Sequence, residues 1–430
     1  MKHIAKIAAF TAIFLIINLI LCGFMPPDNG SSLDMWRSYH QKQSIDIAVI
    51  GSSLASCALP EEELAAATGE TVALMATNAQ SLDMSQIALE TLLREHSPRY
   101  VILVMDLTNM TGKPYAKAQK AFLYAELQTD SWKDKPADLL RYMTSRDNFT
   151  GADSLNALFP WQSGSWPTDW PATIQQKWNA VLDRLPHRRG AAHAQPEDTA
   201  VINFDTVGTE NTWNQNAHDF SAQHIEELTS MLQLCQENGT RLLLISAPKT
   251  TLDVVSYETY FDDYAYFKQL AAEYYDFNLA KPELFENKEP DYHKDFTHMN
   301  AAGGHAFSLS MAKFLAMLDA GQDVESLFET PSEYLASVNY ITNVYLTPEV
   351  HPDKILLLAG SYHGPSVQAE YEFWVKAPGE SEYSRVSAYS TRSWTECAAA
   401  EHGTYQFRVN ARIVGSSADF ERYYECSVDF

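Results

Sequence analysis

Basic residues are scarce. The 430-residue chain carries 31 Lys and Arg against 55 Asp and Glu, a net charge of −24. Such a surface repels phosphate, which excludes a nucleic-acid binder and argues against a body that adheres to anionic lipid. Cysteine is scarce too. Cys22, Cys57, Cys235, Cys397 and Cys426 are the whole set, and no two form the C-x-x-C pair of a zinc or dithiol site. No H-E-x-x-H motif occurs. Charged residues make up 20% and apolar ones 46%, so the chain is neither disordered nor a polytopic membrane protein.

Long apolar runs are limited to one. Ile7 to Met25 is interrupted only by Thr11 and Asn18, preceded by Lys2 and Lys6, and followed by Pro26, Pro27 and Asp28. Its length suits a transmembrane helix, and the charge asymmetry predicts the N-terminus inside and the body outside the membrane. A cleaved signal peptide leads to the same compartment. No A-x-A-like pattern follows the run, so an uncleaved single-pass anchor is expected. Leu19-Ile20-Leu21 precedes Cys22 where a lipobox needs a small residue. Outside the membrane a disulfide could join Cys397 and Cys426. Cys57 and Cys235, beside apolar elements, read as buried thiols.

The periodicity divides the rest. Residues 1–27 are the tip and anchor, and residues 28–44, rich in polar and turn residues, read as a spacer. From 45 to 335 apolar strands alternate with helical patterns. Ile45 to Ile50, Thr71 to Ala76, Tyr100 to Met105 and Arg241 to Ala247 are strands; Ser85 to His96, Ala222 to Asn238, Phe261 to Tyr275 and Ala301 to Leu318 are helices. Strands apolar throughout predict a three-layer α/β domain with a parallel sheet covered on both faces. Residues 113–217 interrupt this rhythm as an insertion holding six of the nine tryptophans. Trp161, Trp166 and Trp170 either staple that insertion to the body or form a rim that stacks on sugar rings. Residues 340–430 show short alternating segments between turns, the pattern of a small β-sandwich.

Two stretches carry chemistry. Gly51-Ser52-Ser53-Leu54 follows the first strand, at the end of a parallel sheet where ligands bind. A helix starting there offers N–H groups to an oxyanion. Asp295-Phe296-Thr297-His298-Met299-Asn300 precedes the last helix of the domain. Three residues apart, the carboxylate can take the Nδ1 proton of the imidazole and leave Nε2 facing a hydroxyl as a base. Asn300 then suits the helix N-cap. The rival reading of Asp291, His293, Asp295, His298 and His305 as metal ligands lacks a recognised spacing, and no metal or cofactor is expected.

Together these stretches resemble the SGNH, or GDSL-type, hydrolase family, with Gly51-Ser52-Ser53-Leu54 where the family has Gly-Asp-Ser-Leu. The resemblance implies a flavodoxin-like α/β fold, Ser53 as nucleophile, and His298 and Asp295 as base and acid. The anchor and the Asp-x-x-His-x-Asn-x-x-Gly pattern are similar to the membrane-anchored extracytoplasmic branch. That branch includes D-alanyl transfer proteins of teichoic acid synthesis and exopolysaccharide acetyltransferases. The resemblance implies an O-acyltransferase or esterase acting on a cell-envelope polysaccharide or teichoic-acid-like polymer, partnered by a polytopic membrane-bound O-acyltransferase. The family's second block has a Gly in the oxyanion hole; here Thr77-Asn78-Ala79-Gln80-Ser81 leaves Asn78 as a candidate donor. The third block's Asn maps onto Asn109, with Asp106 in place of the Gly. The alternative is an inactive scaffold or carbohydrate-binding protein on the same fold. The C-terminal segments resemble the Ig-like modules beside bacterial surface enzymes.

Overall fold

A computed structural model describes residues 6, 9–14, 16–17, 30–105, 116–129, 133, 137, 199–200, 222–250, 257–288, 291–295, 297–399 and 401–430. The strands β1 (Ile47–Gly51), β2 (Val72–Ala76), β3 (Tyr100–Met105), β4 (Arg241–Ser246) and β5 (Tyr274–Asp276) form one sheet in the order β2-β1-β3-β4-β5. Every pairing in it is parallel. This is a doubly wound order, and it places its topological switch between β1 and β3.

The strands are buried on both faces, as their unbroken apolar runs require. Successive residues alternate between two cores: Ala48, Ile50, Val101, Leu103 and Leu244 face one, while Ile47, Val49, Ile102, Val104 and Ile245 face the other. The first core is closed by α1 (Gly30–Tyr39), α4 (Leu82–Glu95), α5 (Ala116–Thr129), α6 (Ala222–Glu237) and α7 (Tyr257–Leu270). The second is closed by α2 (Ser53–Ala58), α3 (Glu61–Thr68) and α8 (Ala301–Asp319).

Three expectations change. The stretch read as a spacer folds as α1, whose Trp36 is fully buried against Phe122 of α5 with ring centroids 5.3 Å apart. The insertion opens with α5, a packed helix rather than a loop. The helix expected to run to Tyr275 ends at Leu270, and Tyr274–Asp276 is the fifth strand.

After α9 (Pro331–Ser337) come seven antiparallel strands. β6 (Ile341–His351), β7 (Lys354–His363) and β10 (Trp394–Ala398) form a sheet ordered β10-β7-β6. β8 (Ala369–Lys376), β9 (Ser384–Ser390), β11 (Thr404–Ile413) and β12 (Arg422–Asp429) form another, ordered β12-β11-β8-β9. The two share one core, in which Ile355 and Leu357 meet Phe373, Phe407 and Val409. Cys397 and Cys426 sit in different sheets and are free thiols, so the disulfide that could have joined them is not formed.

No helix among the described residues is long and apolar enough to cross a membrane. Most of the run from Ile7 to Met25 lies outside them. Its described residues, Ala9 to Phe14 with Ile16 and Ile17, are helical, and Phe10, Ile13 and Ile16 are exposed.

Candidate active site

β1 ends in Gly51, where the chain must turn sharply into α2. Gly51 has φ +154°, and a Cβ there would lie 3.0 Å from the carbonyl oxygen of Val104 on β3. Only glycine fits. Ser52 caps α2, its hydroxyl accepting from Leu54 N–H at 3.4 Å. Ser53 is the first residue of that helix, at the carboxyl end of the sheet beside the switch point.

The second component comes from a tight hairpin ahead of α8. Asn300 N–H donates to Tyr292 O at 3.0 Å, and Lys294 N–H donates to His298 O at 3.1 Å. His293 and Met299 form an isolated bridge within it. Asn300 caps α8 by accepting from Gly303 N–H at 3.0 Å. The following glycine pair lets the parts close up. A Cβ on Gly303 would lie 2.2 Å from Tyr292 O, and one on Gly304 would lie 2.6 Å from Cys57 O in α2. α8 can thus press the hairpin against the helix that carries Ser53.

The result is a linear relay. Ser53 Oγ lies 2.8 Å from His298 Nε2. His298 Nδ1 lies 3.0 Å from both Asp295 oxygens. Facing a carboxylate, Nδ1 carries the proton and Nε2 is the free base. Asp295 Oδ1 also accepts from the N–H groups of Thr297 at 3.0 Å and His298 at 2.8 Å. Partial burial raises its pKa, but the bonds from the His298 ring and from these two N–H groups outweigh it and hold the carboxyl well below the usual range. Asp295 therefore stays ionised. Thr297 Oγ1, 3.3 Å from Asp295 Oδ1 and 3.1 Å from His298 Nδ1, is a partner that motif reading missed; the polar residue between Asp and His is its only trace in the sequence.

Asn78 stands on the turn after β2, exposed, with its N–H donating to Ser31 Oγ at 3.4 Å. Its neighbour Ala79 has φ +53° and is the sole non-glycine with positive φ among the described residues. The turn is tied to β1, the strand that leads into Ser53, Thr77 N–H donating to Gly51 O at 3.3 Å. Buried Gln80 secures it further, donating to Met75 O and Ser85 Oγ, both at 3.1 Å. Non-glycine residues adopt this conformation where surrounding structure enforces it, commonly at functional sites. Asn109, Asp106, Trp161, Trp166 and Trp170 lie outside the described residues.

The expected rivals for a metal point elsewhere. His305 Nδ1 meets Glu63 Oε2 at 2.6 Å on the surface, and buried His293 Nε2 meets Asn287 Oδ1 at 2.8 Å.

No family model matches the chain, and no curated protein matches it. Among solved structures it is similar to a Streptococcus pneumonia protein provisionally named a platelet activating factor, at 12% identity over 71% of this chain and 98% of that one, with a TM-score of 0.33. It is also similar to a Bacteroides fragilis protein provisionally named an acylhydrolase, at 8% identity over 66% and 94%, TM-score 0.30. A third likeness is to a gut microbial diltiazem-metabolizing enzyme, at 12% identity over 78% and 69%, TM-score 0.22. Likenesses this distant carry no functional argument.

Proposed function

We propose that the protein is a serine acyl-transfer enzyme of SGNH type. In this reading it is anchored by residues 7–25 with its body outside the membrane, and acts as an O-acyltransferase or esterase on cell-envelope carbohydrate. The observation that supports this most is the relay, 2.8 Å from Ser53 Oγ to His298 Nε2 and 3.0 Å from Nδ1 to each oxygen of Asp295. The relay's place at the end of β1, beside the sheet's switch point, supports the family resemblance.

The chemistry follows from the geometry. Ser53 gives its proton to His298 Nε2 as its Oγ forms a bond to an ester or thioester carbonyl. The ionised Asp295 stabilises the imidazolium that results. N–H groups at the start of α2, with the Asn78–Ala79 turn, receive the charge on the tetrahedral oxygen. The bond to the leaving group breaks, and the leaving group takes the proton from Nε2. A second hydroxyl then loses its proton to Nε2, attacks the acyl-enzyme and frees Ser53. Water as that hydroxyl gives hydrolysis; a sugar hydroxyl gives transfer. An anchor favours transfer, because it concentrates the site near a membrane-held acyl donor. By resemblance, a polytopic membrane-bound O-acyltransferase supplies that donor.

Treatment of the purified protein with a fluorophosphonate tests the reading. One adduct by intact mass is expected, abolished in Ser53→Ala and in His298→Ala. A folded wild-type protein that takes no label would count against it and favour the inactive scaffold.

A further inference from the structure

A second candidate site lies far along the chain, on the four-stranded antiparallel sheet. The inner face of this sheet, with Tyr371, Phe373, Phe407 and Val409, belongs to the sandwich core. Its outer face carries charge and aromatic rings in register. Trp374 pairs with Arg408, which pairs with Glu425; Glu372 pairs with Asn410, which pairs with Tyr423; Glu370 pairs with Arg412. Tyr383, Tyr389, Asp419 and Phe420 border these rows and line, with them, an open cavity of about 410 Å³. Ligand pockets run from roughly 300 to 1,000 Å³.

The lining is fixed in place. Glu372 is only 8% exposed although it sits on an outer face. Its Oε2 accepts from Trp374 Nε1 at 2.9 Å and from Asn410 Nδ2 at 3.3 Å, and its Oε1 accepts from Arg385 at 3.4 Å. The first of these bonds locks the indole plane. The guanidinium of Arg412 lies 3.9 Å from the Tyr389 ring centroid and donates to Glu370 at 2.6 Å. That of Arg408 lies 4.0 Å from the Tyr423 centroid and donates to Asn410 Oδ1 at 2.8 Å. A solvated sheet face kept polar for solubility has no reason to bury a carboxylate or to hold rigid rings around a hollow.

The chemistry selects a ligand class. Glu372 can only accept hydrogen bonds, whereas Arg408 and Arg412 can only donate them. A hydroxyl serves both. Aromatic walls suit the C–H face of a pyranose ring. Among the lining residues the acids Glu372 and Asp419 equal the bases Arg408 and Arg412 in number, and each arginine already faces a further carboxylate, Glu425 for Arg408 and Glu370 for Arg412; this balanced charge disfavours phosphate and carboxylate ligands. The geometry points to a saccharide-binding site for neutral pyranosides on the outer face of this sheet, separate from Ser53. It gives the protein a second hold on a carbohydrate polymer, and it stands whether or not Ser53 transfers an acyl group.

The test uses the full chain, with maltose, cellobiose and N,N′-diacetylchitobiose as probes and glucuronate and inorganic phosphate as anionic controls. Binding is followed by saturation-transfer NMR and calorimetry. At least one neutral disaccharide is expected to bind. Trp374→Ala and Glu372→Gln should each weaken it about tenfold or more, the loss of a central anchor, while Ser53→Ala leaves affinity unchanged. Trp374→Phe, which keeps a ring and spares the sheet, should retain more affinity than Trp374→Ala. Trp374→Ala should leave fluorophosphonate labelling unchanged, so the two sites fail or succeed independently. Absence of binding by the folded wild type, tighter binding of glucuronate or phosphate, or affinity indifferent to Trp374→Ala would overturn the proposal.

Discussion

Lowering the pH from 7 to 5 should destabilise this protein through one residue, His293. Its ring is fully buried in the hairpin that carries Asp295 and His298. Nε2 meets Asn287 Oδ1 at 2.8 Å, and buried Nδ1 has no partner among the described residues. A proton on Nδ1 would be an unpaired buried charge. Burial accordingly drives the pKa down from 6.5 to about 4, with nearby Asp295 pulling weakly the other way. In the unfolded chain the ring titrates near its ordinary value. Between about pH 6.5 and 4 the unfolded state therefore binds a proton that the folded state refuses. The contribution is fully present above that window and is lost as pH falls through it. A gap of about 2.5 pH units, at about 1.36 kcal/mol each, is on the order of 3 kcal/mol. That is a large part of an ordinary folding free energy of roughly 5–15 kcal/mol. Denaturant melts at pH 7.5, 6.5, 5.5 and 4.5 on the wild type and His293→Gln measure it. The wild type should lose stability steadily, and the variant, whose amide can still donate to Asn287, should lose less by about the same 3 kcal/mol. Equal slopes in both proteins would refute the reasoning, because the loss would then belong to other groups.

Gly51→Ala should be severe. The new Cβ meets Val104 O at 3.0 Å and Ala55 Cβ at 2.9 Å, in a backbone conformation that alanine resists. A loss of about 3 kcal/mol by denaturant melt is expected, with strain and overpacking combined. Ala79→Gly should do the opposite. It relieves about 1–2 kcal/mol of left-handed strain against about 0.5–1 kcal/mol of added unfolded-chain entropy. A gain of about 0.5–1 kcal/mol in the same melt should result, and a loss would mean that the alanine methyl makes contacts worth more than the strain.

The sheet was readable because a strand buried on both faces needs nothing but apolar residues, and Ile47 to Ile50, Tyr100 to Met105 and Leu242 to Ile245 supply them. The Ser and the Asp-x-x-His were readable because a local motif keeps its spacing. What failed was what depends on a distant partner. α1 is short and shows only Leu33, Met35, Trp36 and Tyr39 as apolar residues among polar ones, and its value appears when Trp36 meets Phe122. α5 buries Gln119 and Glu126 beside Phe122 and Leu123, the glutamate accepting from Thr91 Oγ1 at 3.2 Å, so its inward face mixes polar with apolar residues and shows no clean stripe. β5 has three residues, and its buried Asp276 is hydrogen-bonded to Tyr274 and Asn278. The conformation of Ala79 leaves no mark in its own residue type.

The folding of α1 also sets a reach. A 17-residue spacer over 28–44 would let the body wander roughly 56 Å from the bilayer at about 3.3 Å per residue. Because α1 is helical from Gly30 on, only positions 26–29 separate it in sequence from the apolar run, at most roughly 13 Å at about 3.3 Å per residue. α1 starts beside the edge of the sheet that carries Ser53, since Ser31 accepts from Asn78 on the turn tied to Gly51. If the run crosses the bilayer, Ser53 works at the lipid surface like a tool on a short chain. A lipid-linked donor need hardly leave the membrane to reach it, whereas a polymer deeper in the envelope must be drawn down.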